Sequence, residues 1–199
     1  MARIGTLFVV SFALAFFCTA QFTKADALFD FETTPSGTPT PFTNTVNGLS
    51  ATFGGSARVC DSQGFFQSLS GQVLIQNFCG SSSDSGPLII SFSSPLTAIS
   101  FDFAVAGSGG TLSLSAFLGG TPIGGSDFGT TVPPGLFNGE GVANFSGTFD
   151  SVQLSSDLFL AIDNVDASTT PVPEPGVWLL IPTAIMVFAV MRRRLRILR

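Results

Sequence analysis

Ala98-Ile99-Ser100-Phe101-Asp102-Phe103-Ala104-Val105, then Gly107 to Gly110, then Thr111-Leu112-Ser113-Leu114-Ser115-Ala116-Phe117-Leu118: this stretch decides the fold. In its first part Ile99, Phe101, Phe103 and Val105 fall on one side of the chain, and Ser100 and Asp102 on the other. The second part alternates hydroxyl with apolar side chains. A repeat of two is the period of a strand with one face buried, not of a helix. The glycines between the runs and Gly119-Gly120 after them supply turns of the hairpin kind.

The same signature extends outward in both directions. Leu28 to Thr33 predicts a first strand, with Phe29 and Phe31 facing in and Asp30 and Glu32 facing out. Thr34 to Pro41 carries three prolines and predicts a loop. Gly48 to Phe53 reads as a strand, Arg58 to Gly80 as irregular chain around a short strand at Val73-Leu74-Ile75, and Ser81 to Ser85 as an exposed serine loop. Leu88 to Phe92, short segments near Ile123 and Phe128, Val142 to Phe145, Phe149 to Leu154 and Leu158 to Val165 complete the strands, with Pro133-Pro134-Gly135 in a loop. Nine or ten short strands over about 140 residues predict an all-β domain, a two-sheet sandwich or jelly roll. The 22 phenylalanines, in a chain without tyrosine, can fill its core without burying hydroxyls.

The two ends have a different character. Arg3 precedes an apolar run from Ile4 to Phe17, the pattern of a secretion signal, and the run is short for a membrane span of about 20 residues. Two exits fit signal peptidase: Ala25-Asp26-Ala27, with the cut before Leu28, and Cys18-Thr19-Ala20 as the fallback. Bulky Phe16 and Phe17 argue against lipidation of Cys18. Residues 1–27 are therefore read as the signal peptide and signal helix, handled by the secretion translocon, and residues 28–168 as the β-domain. Residues 169–175 form a proline-rich linker, residues 176–191 an apolar transmembrane helix and residues 192–199 a basic cytoplasmic tail.

Composition excludes several functions. Between Leu28 and Thr170 the chain has one base, Arg58, against eleven acids. Nucleic acid is not a partner for such a surface, because binding it requires lysine and arginine to displace counterions. The chain has no histidine and no tyrosine, which removes Ser-His-Asp, Cys-His and tyrosine-acid mechanisms. Catalysis would fall to carboxyl groups alone, and the domain holds only two glutamates, Glu32 and Glu140, with its aspartates scattered singly. An enzyme is not expected. Export removes Cys18 and leaves Cys60 and Cys79, a pair suited to a disulfide in an oxidising compartment. Closing that ~20-residue loop contributes about 3 kcal/mol in the chain-entropy model. Two thiols without histidine make a poor metal site.

The C-terminus carries the most specific motif. Val172-Pro173-Glu174-Pro175 precedes the apolar run Gly176 to Met191, and Arg192-Arg193-Arg194 follows at once. Sixteen residues of helix span about 24 Å, marginal against a hydrocarbon core of about 30 Å. The arginines place this end in the cytoplasm by the positive-inside rule, which puts the β-domain on the outer side. The three parts, in this order over roughly the last 28 residues, resemble the PEP-CTERM sorting signal. The resemblance implies a substrate of exosortase in a bacterium that makes exopolysaccharide, with Pro173, Glu174 and Pro175 recognised and the arginines setting orientation. It implies a protein first held in the membrane and then placed on the envelope surface or secreted.

The domain also resembles the β-sandwich found ahead of such tails, through Phe29 to Glu32, Ile99 to Phe103, Phe149 to Val152 and Ala161 to Val165. The first and last of these are similar to strands of carbohydrate-binding jelly rolls, where acids hold a structural calcium. That implies Asp30, Glu32 and Asp163 as calcium ligands, alongside the reading of them as solvated outward acids. For polysaccharide, the domain offers no tryptophan or tyrosine to stack on a sugar ring, and Phe65, Phe66 and Phe137 are the loop phenylalanines to watch. The expected function is a non-catalytic envelope or matrix protein associated with exopolysaccharide. The alternative is a calcium-dependent carbohydrate-binding module carrying the same sorting tail.

Overall fold

The computed structural model describes residues 26–76, 86–107, 109–157 and 159–169. Ten strands run through them: β1 (Asp26–Phe29), β2 (Phe42–Val46), β3 (Leu49–Gly54), β4 (Ala57–Asp61), β5 (Gln72–Gln76), β6 (Leu88–Val105), β7 (Thr111–Leu118), β8 (Thr121–Gly129), β9 (Gly139–Ser155) and β10 (Leu160–Thr169). The described residues contain no helix. The chain is all-β, as its period-2 pattern predicts, and its strand pairings are antiparallel.

One hydrogen-bonded network joins all the strands in the order β4-β5-β10-β6-β9-β7-β8, with β1 on β10, β3 on β6 and β2 on β3. Its shape is set by two long strands. The start of β6, from Leu88, pairs with the end of β9 and with β3; its second part, Ala98–Val105, pairs with the start of β9 and with β10. The register of β6 against β9 shifts twice, between Ser91 and Leu96 and between Leu96 and Ala98. Pro95 lies in the first shift, and Gly147 of β9, at φ 149°, lies opposite the second. Bulges bend a strand without ending it. Each pair of short segments expected from sequence on either side of these residues is therefore one strand.

The bend brings the two parts of the network over one core. β1 is hydrogen-bonded to β10, and β3 to the first half of β6, yet Phe29 of β1 meets Phe53 of β3 edge-on with ring centroids 6.0 Å apart. Phe31 and Phe42 close on the same ring at 5.0 and 5.2 Å. Phe101, Phe103 and Phe149 are fully buried in the same cluster. Edge-on and offset rings add about 0.5–1.5 kcal/mol per pair beyond the area they bury.

Some boundaries differ from expectation. β1 begins at Asp26, two residues before the expected strand start at Leu28, and Ala27 is buried opposite Ala167. Phe31 leaves the strand at φ 60° but remains buried. β2 lies between the expected loop, which ends at Pro41, and the strand expected from Gly48, and β4 lies largely within the stretch read as irregular chain. β2 forms a hairpin with β3 around Asn47-Gly48, both at positive φ, and Thr43–Thr52 and Thr45–Ser50 hydroxyl pairs bridge it at 2.8 and 2.7 Å.

A second, smaller cluster covers the other face of the β5-β10-β6 region. It contains Cys60, Phe66, Leu69, Val73, Ile75, Ala104 and Ala161, with Phe159 packed against it. Its plugs, Phe66 and Leu69, come from the connection between β4 and β5. Because that connection covers the back of the sheet, Val73 to Gln76 are buried without alternation.

Candidate functional site

The connection from Ser62 to Gly71 begins with a local turn. Gln63 N–H donates to Asp61 Oδ1 at 2.9 Å, Phe65 N–H to the Ser62 carbonyl at 2.9 Å, and Ser62 N–H to the Gly71 carbonyl at 2.7 Å. Further along, its amides are taken by carboxyl groups from distant parts of the chain. Glu140, at the start of β9, accepts from Gln67 N–H at 2.7 Å through Oε1, and from Ser68 N–H at 2.7 Å and Ser68 Oγ at 2.5 Å through Oε2. Asp163 of β10 accepts from Ser70 N–H at 3.3 Å, and Glu32 accepts from Gln72 N–H at 3.1 Å. Three amides of the loop, and that of Gln72 at the start of β5, are thus held by three acids. Hydrogen bonds to a carboxylate are roughly twice as strong as neutral ones.

The loop lies close against its acids. At Gly71, φ 63°, a Cβ would meet Glu32 Oε1 at 2.0 Å, so a side chain there would displace the group that holds Gln72. Glu140 is buried at 8 % exposure, and its backbone also exchanges hydrogen bonds with Thr131 at 3.0 and 2.9 Å. One residue therefore ties the Ser62–Gly71 loop to the chain that follows β8.

Asp163 is the electrostatically distinctive acid. It is 2 % exposed, and its pKa is raised to about 6, first by burial and then by the charges of Glu32 and Asp102. The amides of Asn164, at 2.8 Å, and Ser70 oppose that rise. Asn164 sits at φ 52° and donates through Nδ2 to Asp102 Oδ2 at 2.9 Å. A register shift between Asp163 and Asp166 interrupts the ladder of β10 with β6 beside these side chains.

These contacts show what surrounds the acids expected above as calcium ligands. Asp30 Oδ1 accepts from Glu32 N–H at 3.2 Å, Glu32 Oε1 accepts from Gln72 N–H, and Asp163 Oδ2 accepts from Ser70 N–H. Among the described residues no group of three or more His, Cys, Asp or Glu side chains is placed to hold a metal ion. Of the loop aromatics, Phe66 is a core plug stacked on Phe159 at 6.2 Å, Phe65 is 47 % exposed and Phe137 is 88 % exposed. Cys60 is buried on β4; its expected disulfide partner Cys79 lies outside the described residues, as do Val172 to Pro175 and Arg192 to Arg194.

Beside the clamp lies an open cleft of about 400 Å³. Gln67 and Ser68 form one wall, Thr131 to Pro134 the other, and Glu140, Gly141 and Val142 the floor. Glu140 is the only acid among these lining residues. Sequence reasoning singled out Glu140 only as a scarce glutamate. Its position two residues before the alternating run of β9, between Gly139 and Gly141, was the available signal, since a Cβ at Gly141 would meet the Phe103 ring at 2.9 Å.

No family model and no curated protein matches the chain. Among solved structures it is similar to the K2 cleaved adhesin domain of Lys-gingipain, at 13 % identity and a TM-score of 0.46, over 73 % of this chain and 99 % of that one. It is similar also to a family 29 carbohydrate-binding module, at 12 % identity and a TM-score of 0.33, over 73 % and 89 % of the two chains. A third is the enzymatically active domain of bacteriophage CBA120 tailspike protein 4, at 16 % identity and a TM-score of 0.28, over 75 % of this chain and 20 % of that one.

Proposed function

We propose that this chain is an exported, non-catalytic envelope or extracellular-matrix protein, sorted through a PEP-CTERM-type tail by exosortase and associated with exopolysaccharide. One observation carries the reading: the order of Val172-Pro173-Glu174-Pro175, the apolar run 176–191 and Arg192-Arg193-Arg194. A span of that length is a marginal anchor, suited to a transient hold before transfer. The signal peptide at the other end and the acidic, lysine-free domain between agree with a life outside the cytoplasm.

The domain's own chemistry supports the non-catalytic part. Glu140 and Glu32, the only glutamates ahead of the tail, hold loop amides, and the cleft is lined by one acid, where a paired-carboxyl hydrolase uses two across one cleft. We read the bent network as a two-sheet sandwich, with the bulges near Pro95 and Gly147 as its corners. Of the two signal exits, the cut after Ala20 is the one that leaves β1 whole, since Asp26 Oδ1 accepts from Ser168 Oγ at 2.7 Å and Ala27 is fully buried.

Intact-mass measurement of the protein made in a host with exosortase, and in the same host lacking it, tests both ends at once. The expected mature form begins at Gln21 and lacks everything after about residue 175, with the tail retained when the enzyme is missing. A full-length C-terminus in both hosts would overturn the sorting assignment.

A further inference from the structure

The cleft beside Glu140 is bordered by residues that the hydrogen bonds of Glu140 do not involve. Pro133, Pro134 and Val142 make part of its surface apolar, and Val142 is 57 % exposed. Gln67, Ser68 and Thr131 set neutral polar groups next to that surface. On the same loop, three residues past Pro134, Phe137 is 88 % exposed, the most exposed of the large apolar side chains among the described residues. A ring held that far out adds little to the core, and a cleft with a few polar groups beside apolar ones is the ordinary form of a ligand site.

We infer that this cleft, together with Phe137 on the connection that supplies Thr131 to Pro134, binds a chain of neutral polysaccharide. A pyranose ring has an apolar C–H face and a rim of hydroxyls. The first matches Phe137, the two prolines and Val142; the second matches Gln67, Ser68 and Thr131. The inference deepens the matrix reading above and rests on it only for the polymer the domain would meet.

Charge selects the neutral polymer. No basic side chain lines the cleft, Glu140 is its one ionisable group, and the domain has a single base between Leu28 and Thr170. Acidic polysaccharides and nucleic acids are repelled by such a surface. A peptide strand is disfavoured for a separate reason. The floor residues already pair with β6, Glu140 with Ala104, Gly141 with Phe103 and Val142 with Asp102, and Glu140 also pairs with Thr131 on its other side. Strand addition needs an open backbone edge, and the floor at Glu140 has none to offer. The walls are also preorganised: the Glu140 side chain fixes Gln67 and Ser68, and its backbone fixes Thr131. A site that orders little on binding keeps more of its contact energy.

Affinity electrophoresis of the full chain in native gels tests this, with glucomannan, hydroxyethylcellulose or polygalacturonate cast into the gel. Retardation is expected in at least one neutral polymer and not in polygalacturonate. Phe137→Ala and Gln67→Ala are each expected to weaken it roughly tenfold while leaving the urea midpoint unchanged. Three results would overturn the inference: no retardation in either neutral polymer, equal retardation in polygalacturonate, or Phe137→Ala binding like the unmodified chain. Each of these leaves the mass-based sorting test untouched, so the two readings fail separately.

Discussion

Replacing Glu140 with alanine should loosen the loop between β4 and β5 and destabilise the whole domain. The side chain accepts three hydrogen bonds, from Gln67 N–H, Ser68 N–H and Ser68 Oγ. Hydrogen bonds to a charged group contribute about 1.5–3 kcal/mol each when no substitute partner exists. Gln67 and Ser68 are exposed, so in the variant water can take up their amides, which lowers the cost. The loss of packing above Phe66 and Leu69, which the clamp keeps seated in the second cluster, works in the opposite direction. The net expectation is a loss of about 2–4 kcal/mol, read as a fall of roughly 1–2 M in the urea midpoint at unchanged slope. Glu140→Gln keeps the shape and one acceptor but turns its amide group toward a second donor, and should lose about half as much. Chymotrypsin gives a local readout. The Phe65-Phe66 bond, protected while Phe66 stacks on Phe159, should be cut much faster in Glu140→Ala under native conditions. If the alanine variant unfolds within about 0.5 kcal/mol of the unmodified chain and resists cleavage equally, the clamp is not what holds this loop.

Asp163 makes stability pH-dependent in a direction opposite to that of a salt-bridged acid. Its folded pKa, about 6, lies above the ordinary 3.8, so folding favours the protonated form: stability falls as pH rises from about 4 to 6 and is flat above. Asp163→Asn should flatten that part of the profile and raise stability at pH 7.5 by roughly 1–2 kcal/mol; a variant profile parallel to the original would count against this. Phe53→Ala removes the ring on which Phe29, Phe31 and Phe42 converge and should cost about 3–5 kcal/mol by calorimetry, with a loss under about 1 kcal/mol showing that the two parts of the network do not depend on it. Gly55 and Gly37 share a positive φ, 95° and 89°, but only at Gly55 would a Cβ meet backbone, the Pro87 carbonyl at 2.4 Å. Gly55→Ala should therefore cost about 2–3 kcal/mol and Gly37→Ala about 1 kcal/mol, and equal losses would refute the clash.

Local pattern was enough for the strands whose two faces see different surroundings. The alternation of Thr111–Leu118 coincides with β7 residue for residue, because β7 has core on one face and solvent on the other, and its Gly119-Gly120 turn needs positive φ at both positions. The β2–β3 hairpin was also legible. Val46-Asn47-Gly48-Leu49 is a strong short hairpin signal at the junction of the two strands. What sequence could not reveal was whether Pro95 and Gly147 end strands or bend them. That depends on the partner strand crossing the same corner, a fact with no local trace.

The acids show the same division more sharply. Composition and residue order alone determined that this domain is acidic, that it lacks histidine and tyrosine, and that its tail carries a proline-glutamate-proline motif ahead of an apolar run and arginines. They identified Glu32, Glu140 and Asp163 as carboxyl groups without saying what faces them. Only the tertiary structure brought Gln67, Ser68, Ser70 and Gln72 to those oxygens, across separations of 40 to 93 residues. A carboxyl group's role is set by the donors within about 3 Å of it, and chain folding, not sequence distance, chooses those donors.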